Sequence, residues 1–149
     1  MKIEAFFPYQ LAVISAAFSR QLENVYRHEA GLTREEWRML FLLANAESLT
    51  SKEIALRSSL DKVQISRAAQ RLIKKRLIVG GESDHDRRLR DYSCTSEGYA
   101  LFSSLFPRVD SRSDKILAKM PEEDLAALKQ GLAALSVAAA GFRKKRDTG

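Results

Sequence analysis

The chain has 149 residues, 45% of them hydrophobic and 30% charged, with a formal net charge of +6. That length suits one domain, taken as 1–149, with enough interior to bury a real core. A single cysteine, Cys94, excludes an internal disulfide and suits a reducing compartment. Met1 to Pro8 has no apolar signal-peptide core, and every apolar run meets a charge before about 18 residues, so no membrane span is expected.

The first predicted helix covers 8–30, where Leu11, Ile14, Phe18, Leu22 and Val25 recur at helical spacing and form one apolar seam. Gly31 stops it. Thr33-Arg34-Glu35-Glu36 has the S/T-x-x-E spacing of a capping box and opens a second helix through Ala46. Trp37, Leu40, Phe41 and Ala44 make its buried face, and residues 45–48 are a link.

Thr50 and Glu53 form another capping box, opening a short helix that gives way at Ser58-Ser59. Asp61, with Gln64 three residues on, starts the next helix, which runs to Lys75. At 100° per residue, Ile65, Ala69, Leu72 and Ile73 fall within roughly 100° of one another and form an apolar stripe. Gln64, Arg67, Arg71, Lys74 and Lys75 fall on another side. Such a face is either a solvated surface or the reading edge of a recognition helix in a DNA major groove. Leu77-Ile78-Val79 is then a short strand that Gly80-Gly81 breaks. Residues 82–88 make a polar turn carrying Arg87 and Arg88, and Leu89 to Cys94 returns as a second strand. Charge favours the reading edge. Residues 51–90 hold 11 Lys and Arg against 5 Asp and Glu, so the whole excess of the chain sits there.

Thr95-Ser96-Glu97-Gly98 opens a long helical stretch to about Met120, in which Pro107 should bend or break the helix at Phe106. Pro121-Glu122-Glu123-Asp124 starts a last helix with acids at the positive end of its dipole. Its leucines and many alanines suit a face against a partner. Arg143 to Arg146 is a basic tail. The sum is six helices and one hairpin, a mainly α chain.

Several runs in this order resemble the MarR family of bacterial transcription regulators. They are Leu49 to Ala55, Asp61 to Arg67, Arg71 to Lys75, Asp86-Arg87-Arg88, and Thr95-x-x-Gly98. The resemblance covers nearly the whole chain. It implies a winged helix-turn-helix DNA-binding lobe at about 33–95, with N- and C-terminal dimerisation helices at about 8–30 and 96–141. It assigns Ser66, Arg67 and Arg71 to recognition-helix contacts, Arg88 to the wing tip, and Asp86 to positioning that arginine. It also implies a homodimer, a bacterial cytoplasmic location, and a small aromatic or phenolic effector in a crevice that Tyr9, Phe18, Tyr26, Trp37 and Phe41 could line. Three positions depart from the pattern. Arg76 stands where a glycine usually ends the recognition helix, Gly80 where many members carry arginine, and Cys94-Thr95 where Leu-Thr is usual.

No catalytic constellation can be assembled. There is no Gly-rich phosphate loop, GxSxG or HExxH. His28 with Glu23 or Glu29 has a spacing common by chance, and Cys94 is most simply a small apolar residue. Neither an enzyme, a metal nor a cofactor is expected. The expected partner is double-stranded DNA. Lys52, Lys62, Lys74, Lys75 and Arg87 would hold phosphates, Gln64, Ser66, Arg67 and Arg71 would read bases, and Arg88 would probe the minor groove. A protein-interaction module built on the same basic helix is the alternative.

Overall fold

The computed structural model describes residues 1–82 and 90–147, with side chains to residue 142. After a 3-10 turn, Ile3–Ala5, come α1 (Phe7–Ala30), α2 (Arg34–Ala44), β1 (Leu49–Thr50), α3 (Ser51–Ser58) and α4 (Lys62–Lys74). Two strands, β2 (Ile78–Glu82) and β3 (Arg90–Cys94), lead to α5 (Ser96–Leu117) and α6 (Glu122–Asp147). The chain is mainly helical. It forms two compact units, one to Arg112 and one from Ser113.

Local chemistry explains where the helices of the first unit begin and end. Thr50 accepts the backbone N–H of Glu53, and Glu53 accepts that of Thr50, closing a full capping box. Thr33 likewise accepts the N–H of Glu36 at 3.2 Å. Its box stays half-made, because the Glu36 carboxylate receives the Thr33 hydroxyl and turns inward. Gly31, with φ +64°, ends α1 in the left-handed conformation that glycine adopts without steric penalty.

The sheet departs from a simple hairpin. Residues 49 and 50 pair with β3, Leu49 opposite Tyr92 and Thr50 opposite Asp91, giving an antiparallel order β1-β3-β2. A two-residue strand has too little period to announce itself in sequence. Gly80 and Gly81 continue β2 instead of breaking it, opposite Tyr92 and Asp91. The Tyr92 ring explains how Gly80 is accommodated. It lies so close that a Cβ on Gly80 would sit 2.6 Å from it. The aromatic face takes the space that a side chain would fill, and the strand is braced where a break was expected.

The core of this unit runs through Tyr26, Leu32, Trp37, Met39, Leu40, Leu43, Ile54, Ile65, Leu72 and Ile78, closing with Phe102, Leu105 and Val109. Tyr26 stacks on Trp37 at 5.0 Å between centroids and 9° between planes, and Trp37 in turn stacks on Phe102 at 5.6 Å. This aromatic column ties α1, α2 and the first part of α5 together. Pro107 does not break α5, which is helical from Ser96 to Leu117. The missing N–H leaves one carbonyl of the previous turn without its helical donor, a loss that the packing of Phe102, Leu105 and Val109 on either side offsets.

The second unit contains the end of α5 and all of α6. Among its described residues α6 leaves every side chain exposed except Leu125, which is half-buried. Over Glu122–Phe142 the mean hydropathy reaches 1.4, enough by length and composition to cross a membrane. The charge-spacing rule overlooked this because Lys129 alone interrupts the stretch after Asp124.

Two backbone positions give opposite expectations. Arg76 has φ +63°, a conformation costing a non-glycine residue about 1 kcal/mol. A Cβ on Gly98 would meet the Leu77 carbonyl oxygen at 2.0 Å. The strand end is held there by Thr95, whose N–H donates to Leu77 O and whose hydroxyl donates to Arg76 O and accepts the Gly98 N–H. Arg76→Gly should therefore raise unfolding free energy by roughly 0.5–1 kcal/mol, and Gly98→Ala should lower it by about 2–3 kcal/mol. Urea denaturation of the two variants checks both signs.

Candidate nucleic-acid interface

The interface is built on α3 and α4 and the turn between them. Ser59 ends α3 at φ +58°, and Ser58 braces the turn by donating its hydroxyl to Ile54 O and accepting the Leu60 N–H. Arg38 reaches over from α2 and donates to Ser58 O and Ser59 Oγ at 3.4 and 3.2 Å. Asp61 then caps α4 by accepting the Gln64 N–H at 2.8 Å. In return Gln64 Oε1 accepts the Asp61 N–H at 3.0 Å.

That box changes the expectation for Gln64. Bidentate reading of adenine needs the amide oxygen as acceptor and the amide nitrogen as donor. Here the oxygen already serves the helix cap, which holds the side chain back toward Asp61. The spacing that marks a capping partner was visible in the sequence.

The inner face of α4 is Ile65, Ala68, Ala69 and Leu72. Ile73, expected in this stripe, is 39% exposed, and Ala68 takes its place. The correction rotates the outward face. Its centre is occupied by Val63, Arg67, Gln70 and Lys74, all exposed, with exposed Ser66 and Arg71 at its margins. Lys62 is exposed at the first turn, and Lys52 is exposed on α3. Reading the sequence for charge overlooked Val63 and Gln70. Measuring the direction opposite the four buried residues finds them.

Lys75 has a partner inside the chain. Its Nζ lies 2.6 Å from Glu36 Oε2 and 3.2 Å from Gly31 O. Glu36 is only 1% exposed, the one buried carboxylate among the described residues. The ammonium thus bridges to the corner where α1 ends and α2 begins. Lys75 thus has an internal role beside the phosphate contact expected of it. Asp86, Arg87 and Arg88 lie outside the described residues, as does His85.

An open groove of about 410 Å³ runs beside the helix-turn-helix, with Trp37, Phe41, Leu42 and Leu56 as apolar walls and Arg38 and Arg57 at its rim. Of the aromatic residues expected in a crevice, Trp37 and Phe41 line it. Tyr26 instead belongs to the aromatic column, where burial and then nearby Glu23 push its pKa up to about 12. Tyr9 is exposed, and Phe18 is half-buried elsewhere on α1. The carboxylates that might have joined His28 are in ion pairs, Glu23 with Arg27 and Glu29 with Arg108. Burial pushes the Cys94 thiol up, which disfavours the reactive thiolate.

Residues 30–89, from the α1–α2 corner through the helix-turn-helix and β2, match the profile of the MarR family. The HTH-type transcriptional regulator FarR of Neisseria gonorrhoeae is 29% identical over 109 residues, 73% of this chain and 75% of FarR. The crystal structure of NadR in complex with 4-hydroxyphenylacetate is similar at a TM-score of 0.72 and 26% identity, over 91% of this chain and 95% of that one. Residues 30–89 of this chain are a MarR-family segment. A structure of Staphylococcus aureus MepR bound to DNA shares the fold at a TM-score of 0.75 and 19% identity, over 89% of this chain and 97% of that one. Accordingly, α3 and α4 are the helix-turn-helix and β2–β3 the wing of a winged-helix transcriptional regulator.

The two partners of the buried pair should respond unequally to substitution. Lys75→Ala strands a carboxylate in the interior and should cost about 2–4 kcal/mol of stability. Glu36→Gln should cost less, since Lys75 is 38% exposed and can turn to water. Calorimetry compares the two. A DNA-binding salt slope left unchanged by Lys75→Ala would agree with an internal role, and one made shallower by about a unit would return Lys75 to the phosphates.

Proposed function

We propose that the protein is a ligand-responsive repressor that binds a pseudo-palindromic operator as a homodimer in the bacterial cytoplasm. The observation carrying this reading is the outward face of α4, where Ser66, Arg67, Gln70, Arg71 and Lys74 are exposed together on a helix firmly seated by its other side. A helix of this kind fits the major groove, where arginine bonds guanine bidentately. Lys52, Lys62 and Lys74 hold phosphates in this reading, and the resemblance gives Arg87 and Arg88 the wing contacts.

Dimerisation rests on apolar surface. The first half of α1 exposes Phe7, Val13 and Ile14, and α6 exposes Leu128, Leu132 and Leu135 in a row. Two recognition helices related by a two-fold axis enter successive major grooves about one helical turn apart.

Effector control rests on the groove beside α2. Phe41, 38% exposed, offers a ring to an aromatic ligand beside Trp37, whose own faces are taken by Tyr26 and Phe102, and Arg38 and Arg57 offer charge to a carboxylate. NadR with 4-hydroxyphenylacetate supplies the chemical precedent. Arg38 also anchors the Ser58-Ser59 turn, so an anion that draws its guanidinium away would loosen the helix-turn-helix.

Selection from a random duplex library across a salt series tests the DNA reading. An inverted repeat should be enriched, and Arg67→Ala should lose about 1–3 kcal/mol on it with relaxed preference at one base. Enrichment of nothing, with weak binding that vanishes at moderate salt, would favour a protein partner for the basic surface.

The effector is tested through Trp37, the only tryptophan. Titration with 4-hydroxyphenylacetate and related aromatic acids should quench its fluorescence and release the operator over the same concentrations. Release without quenching would place the effector elsewhere.

A further inference from the structure

We propose that Val63 reads the 5-methyl group of a thymine in each half-site of the operator. The inference rests on the DNA-binding reading above and adds an apolar contact to a face that is otherwise polar.

Position is the first ground. Ile65, Ala68, Ala69 and Leu72 define the inward direction of α4. At 100° per residue, Val63 points within roughly 20° of the opposite direction, closer to the centre of the outward face than Arg67 or Arg71. It also lies in the first turn of the helix, and the N-terminal residues of a recognition helix are those that reach base edges.

Exposure is the second ground. Val63 is 57% exposed, although its neighbours on that face are charged or polar. A lone surface valine needs no explanation in general. At this position local structure gives it no support either, because a β-branched side chain weakens an exposed helix relative to alanine.

The third ground is what surrounds it. Lys62, just before, and Gln64, just after, lie roughly 110° and 90° round the helix from the outward direction, and the Gln64 amide oxygen serves the cap. The start of α4 therefore has little means of reading a base by paired hydrogen bonds. Among the bases, thymine alone presents an apolar group to the major groove, the methyl on C5. Val63 is matched to it. Against the amino group of cytosine or adenine, the same side chain would exclude water and return no hydrogen bond.

The test uses the full-length protein and the duplex enriched by selection. Each thymine of the half-site is replaced in turn by deoxyuridine, which removes the methyl and leaves every hydrogen-bonding group in place. At one position per half-site the wild type should bind about fourfold more weakly, the loss expected for one unburied methyl. Val63→Ala should bind the thymine duplex more weakly than wild type and should lose most of that discrimination, to within about twofold. Val63→Ile should keep it. Equal binding of thymine and deoxyuridine duplexes at every position, with operator selectivity intact, would overturn the assignment and leave the DNA reading standing. So would full discrimination retained by Val63→Ala, since another group would then be touching the methyl. Enrichment of no duplex at all would remove the DNA reading and this inference together.

Discussion

The pairing of Lys75 with Glu36 is the constraint on which the DNA-binding unit depends. The carboxylate is almost wholly removed from water, and its oxygens are served by the Lys75 ammonium and the Thr33 hydroxyl. The same ammonium donates to Gly31 O, the carbonyl of the residue that ends α1. One side chain at the end of the recognition helix is thereby tied to the α1–α2 corner. Buried ion pairs add little net stability, because desolvation offsets most of the attraction. What they add is definition, since a carboxylate without its partner there is costly and alternative placements of the helix end would create one. Everything after Lys75 follows from that fixed end. Arg76 turns left-handed, Leu77 donates back to Leu72 O, and β2 departs toward the wing.

Helix α2 is the element through which the parts communicate. Trp37 belongs at once to the aromatic column with Tyr26 and Phe102 and to the wall of the groove. One residue on, Arg38 borders the groove and holds the turn between α3 and α4. One residue before, Glu36 holds the far end of α4. Three consecutive side chains therefore touch the core, the groove, the turn that precedes the recognition helix and the far end of that helix. A ligand that shifts this segment by a few tenths of an ångström has no soft layer to absorb the shift, because packed interiors transmit strain.

Helix starts were legible in the sequence because caps are local chemistry with fixed spacing. Thr50 with Glu53 and Asp61 with Gln64 form the expected boxes. The winged-helix order was legible too, since helix-turn-helix, strands and wing follow one another without long insertions. What the sequence concealed depends on contacts distant along the chain. Lys75 and Glu36 are 39 positions apart, and a lysine at the edge of a basic arc looks like any other. Counting charge over 51–90 therefore overstated the surface charge at the end of α4. Ile73 and Ala68 were exchanged for a related reason, because a small residue scores low for hydrophobicity but allows closer packing of α4 on its neighbours. Gly80 read as a break because the Tyr92 ring that fills its space comes from the opposite strand. Pro107 read as a bend or break because propensity was weighed without the apolar side chains that hold α5 on both sides of it.

Helix α6 poses a different problem, being apolar and unburied within one chain. Length and hydropathy alone would also allow a membrane span over Glu122–Phe142. The arrangement of its side chains argues for a neighbour on one side. Leu125, Leu128, Leu132 and Leu135 follow at spacings of three and four and fall within roughly 80° of one another. The rest of the circumference is mostly alanine, with Gln130 and Lys129 among it. A helix surrounded by lipid gains from bulky apolar groups on every side, whereas a helix packed against another needs them along one seam and small residues beside it. The leucine row, the flanking alanines and Gly131 have that second pattern, the one a second copy of the chain would match.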